Sequence, residues 1–117
     1  MTDPATIWRE AMADRAAKRA AALADGKTTA AHAARDAALC ALFLYICVDL
    51  QEQDGQFINL LPCERDDVAA AITIAVRMAE RAQSDDPARA EALWQIARPA
   101  RAAMTLLQSA LDAKAAA

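Results

Sequence analysis

The sequence predicts an all-α fold, a four-helix up-and-down bundle, and three observations carry that reading. Of 117 residues, 34 are alanine, the strongest helix former, and only two are glycine, so the turns and β-branched strands of a sandwich or barrel are missing. The Asp-Pro steps Asp3-Pro4 and Asp86-Pro87 mark helix starts, because Asp satisfies free amides and proline suits the first helical position. Between them, apolar residues recur at helical spacing over long segments. A chain of 117 residues suits one core and is too short for two, so residues 1–117 read as a single helical domain. Only 22 residues are Leu, Ile, Val or Phe, near the border with disorder, but a net charge of −3 supplies little self-repulsion to hold the chain open.

The first helix is expected over about residues 4–24, ending where Asp25-Gly26 offers a left-handed cap. Its apolar stripe is Trp8, Met12, Ala16, Ala20 and Leu23, with Glu10, Asp14 and Lys18 on the far side, which makes it the most weakly held helix. A second helix over about 29–52, capped by Thr28 or Thr29, enters the run AALCALFLYICV. A helix apolar all round predicts the buried centre of a bundle. The competing reading sets LFLYICV and QFINLL as two strands around Gly55. The third helix, about 63–83, has Glu64, Asp66 and Asp67 in its first turns, where carboxylates complement the helix dipole, and a stripe of Val68, Ile72, Ala75 and Ala79. The fourth, about 87–113, carries Leu93, Ile96, Ala100, Ala103, Leu107 and Leu111 in phase across Pro99, which predicts one helix kinked at that proline. A monomer of this composition is lean in large apolar side chains, and a homodimer that covers helix one is the alternative.

The opening MTDPATIWRE has no basic region followed by an apolar one, which predicts a cytoplasmic protein. The longest apolar run, Ala37 to Val48, has 12 residues against the roughly 20 of a membrane span, so no membrane partner is expected. Cys40 and Cys47 stand about 10 Å apart along one helix, too far for a disulfide, and Cys63 bridges either only if the fold brings it near; buried reduced thiols are the simpler account. With one histidine, His32, and no Cys-x-x-Cys pair, neither a metal site nor a cofactor is predicted. No nucleophile with a base, carboxylate pair in a cleft or phosphate-binding glycine loop is visible, so an enzyme is not expected.

Charge is the informative polar feature. Residues 1–36 carry six basic and five acidic side chains, residues 37–67 one and six, and residues 68–117 six and five. Asp49, Glu52, Asp54, Glu64, Asp66 and Asp67 would gather at one end of the bundle as an acidic pole able to engage a basic protein surface, including one in a nucleic-acid-handling complex. The bland reading is a solvated loop with ordinary helix-start carboxylates. Trp94, Arg98 and Arg101, at i, i+4 and i+7, form a second candidate surface, since Trp and Arg are enriched in interface hot spots. Its bland reading is a Trp covered by arginine stems. Trp8 is a third candidate or simply the anchor of helix one. A sequence pI near 5.0 argues against direct nucleic-acid binding.

The step from Leu61-Pro62 into an apolar helix and the segment Leu93 to Met104 resemble, in outline, small helical regulators of flagellar assembly of the FlaF type. The first third of the chain has no counterpart there, and the Leu-Trp motif of that family's second helix is absent. The expected function is protein–protein binding by a small acidic bundle, such as an inhibitor from a phage or mobile element (anti-CRISPR-like) or a regulator. The alternatives are a flagellar or secretion-type regulator or chaperone, and a sensor or carrier with a pocket lined by Cys40, Phe43, Cys47 and Met78.

Overall fold

The computed structural model describes residues 3–52 and 65–116, with side-chain surroundings for residues 3–48 and 66–105. They form four helices, α1 (Pro4–Ala24), α2 (Ala30–Glu52), α3 (Arg65–Asp85) and α4 (Pro87–Ala116), packed as a four-helix bundle. No strand occurs among the described residues, and LFLYICV lies wholly within α2. The segment QFINLL, Gly55, Pro62 and Cys63 lie outside the described residues.

The helix ends follow from local chemistry. At the end of α1, Gly26 takes φ +71°, Lys27 N–H donates to the Ala22 carbonyl at 2.9 Å and Gly26 N–H to that of Leu23 at 3.2 Å, a Schellman cap. Thr29 caps α2, its Oγ1 accepting the His32 N–H at 3.2 Å. Asp86 alone separates α3 from α4, and its carboxylate accepts the Arg89 N–H at 3.2 Å. Asp3 departs from this pattern: its carboxylate makes no cap bond, and its carbonyl instead accepts the amides of Thr6 and Ile7. Helix α3 runs two residues past the expected end, and α4 continues through Pro99 to Ala116.

The core is a single cluster drawn from all four helices. Val68, Ile72, Ala75 and Ala79 of α3 and Leu93, Ile96 and Ala100 of α4 are buried, as their stripes predict, and α3 and α4 share the most extensive contact of any helix pair among the described residues. Helices α1 and α2 are antiparallel, with Trp8 against Phe43 and Arg15 against Asp36. Arg35 of α2 reaches Asp67 of α3 at 2.6 Å, which brings the second turn of α2 to the first turn of α3.

Two expectations about burial are corrected. Beyond Met12 the predicted stripe of α1 is not buried: Ala16 is half-buried, Ala20 exposed and Leu23 43% exposed. Successive steps of four residues drift about 40° per step around a helix. The inward face therefore follows Trp8, Met12, Arg15 and Arg19. Helix α2 is not the wrapped centre either. Leu39, Cys40, Phe43, Ile46 and Cys47 are buried, while Tyr45 and Val48 on the opposite side are 54% and 43% exposed. Residues Ala30–Val48 form a 19-residue window of mean hydropathy 1.5, long and apolar enough to cross a membrane by length and composition alone, a test that core helices also pass. The 12-residue run understates this stretch because it stops at Asp36.

Trp8 ties α1 to the rest. Its side chain is fully buried, its ring lies 4.6 Å from that of Phe43 at a tilt of 59°, and its Nε1–H donates to the Leu93 carbonyl of α4 at 3.0 Å. The W8A substitution is expected to cost about 3–5 kcal/mol, the range for removing a large buried aromatic. W8F keeps a ring but loses the bond to Leu93, and is expected to cost about 1–2 kcal/mol. Urea unfolding followed by far-UV circular dichroism measures both; equal costs would mean that the ring kept in W8F contributes nothing by packing, and a W8F cost near zero would mean that the indole N–H bond contributes nothing.

Candidate functional site

The two surfaces singled out in the sequence fare differently. Asp66 and Asp67 occupy the first turn of α3; Asp67 is committed to Arg35, and Asp66 is exposed but engaged in a contact of its own. Asp49 and Glu52 belong to α2, with side-chain surroundings outside the described residues, and Asp54 and Glu64 lie outside them altogether. Among described residues, then, the acidic candidates reduce to Asp66 and an Asp67 that holds α3 to α2.

Trp94, Arg98 and Arg101 come together on α4. Helical spacing places all three on one strip. The guanidinium carbon of Arg98 lies 5.5 Å and that of Arg101 5.3 Å from the Trp94 ring centroid, within cation–π range. The indole is buried at 7% exposure, while both arginines are exposed. The exposed part of this strip is therefore two oriented cations resting on an aromatic base. Neither guanidinium has a carboxylate within ion-pair distance among the described residues. Among the described residues, the buried Trp94 Nε1 has no hydrogen-bond acceptor, a condition that costs about 1–3 kcal/mol. The strip borders a cleft of about 410 Å³ lined by Gln83, Pro87, Ala90, Glu91, Trp94 and Arg98. Arg101 also reaches a second groove of about 280 Å³ between α3 and α4.

The polar cluster that sequence reading missed joins α1 to α2. Asp36 accepts from Arg15 Nε at 3.2 Å on both oxygens, from Arg15 Nη2 at 2.8 Å and from Arg19 Nη1 at 2.7 Å. Burial pushes the Asp36 carboxyl up, but the hydrogen bonds from Arg15 and Arg19 outweigh it and hold the group below its ordinary value. The bond to Asp36 in turn raises Arg15. The Cys40 sulfur lies 3.8 Å from Asp36 Oδ2, and burial, with the Asp36 charge, pushes its thiol up. Burial pushes Cys47 up to about 12. Both are free cysteines held as neutral thiols, which are poor nucleophiles. The four residues considered for a ligand pocket do not share one open space of that kind: Cys40, Phe43 and Cys47 are packed into the core, and Met78 lines a cleft of about 180 Å³ with Ala11, Asp14, Arg81 and Leu93. His32 is exposed, and no group of three or more potential metal ligands occurs among the described residues.

The Asp36 cluster sets a pH dependence. A carboxyl whose folded value is depressed adds stability that is fully present above its unfolded value of about 3.9 and is lost as pH falls through the folded value. D36N is expected to cost about 1–3 kcal/mol near neutral pH. That cost should shrink as pH falls below about 4, where the wild-type carboxyl also becomes neutral. Urea unfolding of both proteins across this range checks it; a difference independent of pH would contradict the assignment. In comparisons with known proteins, no family model, no curated protein and no solved structure matches this chain.

Proposed function

We propose that this chain is a non-enzymatic protein-binding module that docks through Trp94, Arg98 and Arg101 and regulates or inhibits the partner it occupies. The observation that supports this reading is the buried Trp94 indole with an unmet N–H beneath two exposed guanidinium groups that lack carboxylate partners among the described residues. Folding alone gives no reason to leave a buried donor unpaired, and such local costs concentrate at functional surfaces. Two arginines held against an aromatic face lose less side-chain freedom on binding than two free ones. Their chemistry selects a carboxylate-bearing protein surface. An inhibitor encoded by a phage or mobile element is one concrete form of such a module.

The acidic end is the competing docking surface, and reciprocal charge reversals separate the two. The full chain is used as bait in its native host, and captured proteins are quantified by mass spectrometry. R98E/R101E should lower capture of the specific partner about tenfold or more, the scale of a hot-spot loss near 2 kcal/mol. D66K/D67K should leave it bound, with the helical circular dichroism of both variants checked. Loss in D66K/D67K alone, with a urea-unfolding midpoint equal to that of the wild type because Asp67 also holds α3 to α2, would transfer the function to the acidic end, and undiminished capture by both would remove both surfaces.

A further inference from the structure

We infer that the outer face of α2 pairs with the same face of a second copy of this chain, the two α2 helices running antiparallel. Ala31, Ala34, Ala38, Ala41, Tyr45 and Val48 are all exposed, and their spacings alternate between three and four residues. That alternation is the seam of a two-helix coiled coil. The strip lies opposite Leu39, Cys40, Phe43, Ile46 and Cys47, which face the chain's own core. No charge lies on it. The two charged residues of Ala30–Val48 are turned to the chain's own helices, Arg35 to Asp67 and Asp36 to Arg15 and Arg19.

The order of side-chain sizes selects the occupant. A two-fold axis crossing at the level between Leu39 and Cys40 sets Val48 opposite Ala31, Tyr45 opposite Ala34 and Ala38 opposite Ala41. Each layer then pairs a large side chain with a small one or two small ones, so the helix axes can approach closely along the whole strip. Parallel pairing would instead stack Tyr45 on Tyr45 and alanine on alanine, holding the axes apart at one end and leaving a gap at the other. In the antiparallel arrangement the two Arg35 side chains start about 13 Å apart along the axis, so like charges do not oppose each other. The strip is about 26 Å long, and one helix width of about 10–12 Å across it buries on the order of 300 Å² per copy. The total falls under the roughly 1,200 Å² of standard interfaces, so the dimer forms and dissociates with concentration. This pairing is independent of the Trp94 surface on α4.

Sedimentation equilibrium of the full chain tests it. The mass should rise from 12.5 kDa toward twice that value as concentration increases from about 1 μM to about 1 mM. A38E/Y45E should stay at the monomer mass throughout, with unchanged helical circular dichroism because both sites are exposed. In a C63S background, A34C/Y45C should form a doubly disulfide-linked dimer, whereas A34C and Y45C alone should not link. A wild-type mass that stays monomeric, dimerisation that survives A38E/Y45E, or cross-linking of the single variants as fast as the double one would overturn the pairing. Pelleting of the wild-type chain with phosphatidylcholine vesicles, in place of a mass increase, would assign the face to a lipid surface instead.

Discussion

The bundle depends on the seat of one side chain. Trp8 is the largest apolar group on a helix otherwise built from alanine and charged residues, and it is fully buried. Its ring packs against Phe43 of α2 while its N–H reaches the Leu93 carbonyl of α4, so a single residue fixes α1 to two neighbours at once. Ala5, Ala11 and Met12 complete that contact, and the half of α1 beyond Met12 has no large apolar side chain buried. An indole suits this position because it supplies both area and a directed donor. Without it, the remaining apolar burial would leave an alanine helix of 21 residues close to the limit of independent stability.

What Trp8 does at one end of α1, Arg15 and Arg19 do at the other. Their shared carboxylate, Asp36, is partly buried, and a partly buried ion cluster with several charge-assisted bonds is stronger and more directional than an exposed pair. The Arg89–Asp14 pair at 2.9 Å adds a contact to α4, with Asp14 largely exposed and correspondingly weaker. The α1–α2 hairpin is thus aligned by apolar contact toward the start of α1 and by charge toward its turn. The same division leaves α2 with an inner face committed to the core and an outer face of alanine, tyrosine and valine. Its apolar character exceeds what one core can use.

The sequence revealed helix positions well because their ends are written locally. Gly26, Thr29 and the Asp86-Pro87 step act within a few residues, and each sits where the chain turns. The stripes of α3 and the first half of α4 were also legible, since their apolar residues have one face to occupy. Two readings failed for a common reason: they treated alanine as apolar enough to define a face. On α1 that carried the stripe from Met12 to Ala16 and Ala20 instead of Arg15 and Arg19. On α2 it implied burial all round. Two arginines continuing the Trp8–Met12 face at helical spacing were a readable sign of a buried ionic partner, but its identity, Asp36, depends on how α1 and α2 align. The Trp94 strip was legible as spacing. The missing acceptor for its N–H was not, because it depends on what surrounds the ring rather than on the sequence of α4.

Amide and indole hydrogen exchange followed by nuclear magnetic resonance tests the role of Trp8 most directly. If Trp8 clamps α1 to α2 and α4, its indole N–H and the amides of the first half of α1 exchange only when the whole chain unfolds, with protection equal to the slowest amides of α4. An indole proton and α1 amides that exchange far faster than those of α4 would show α1 detaching on its own, and would contradict the account.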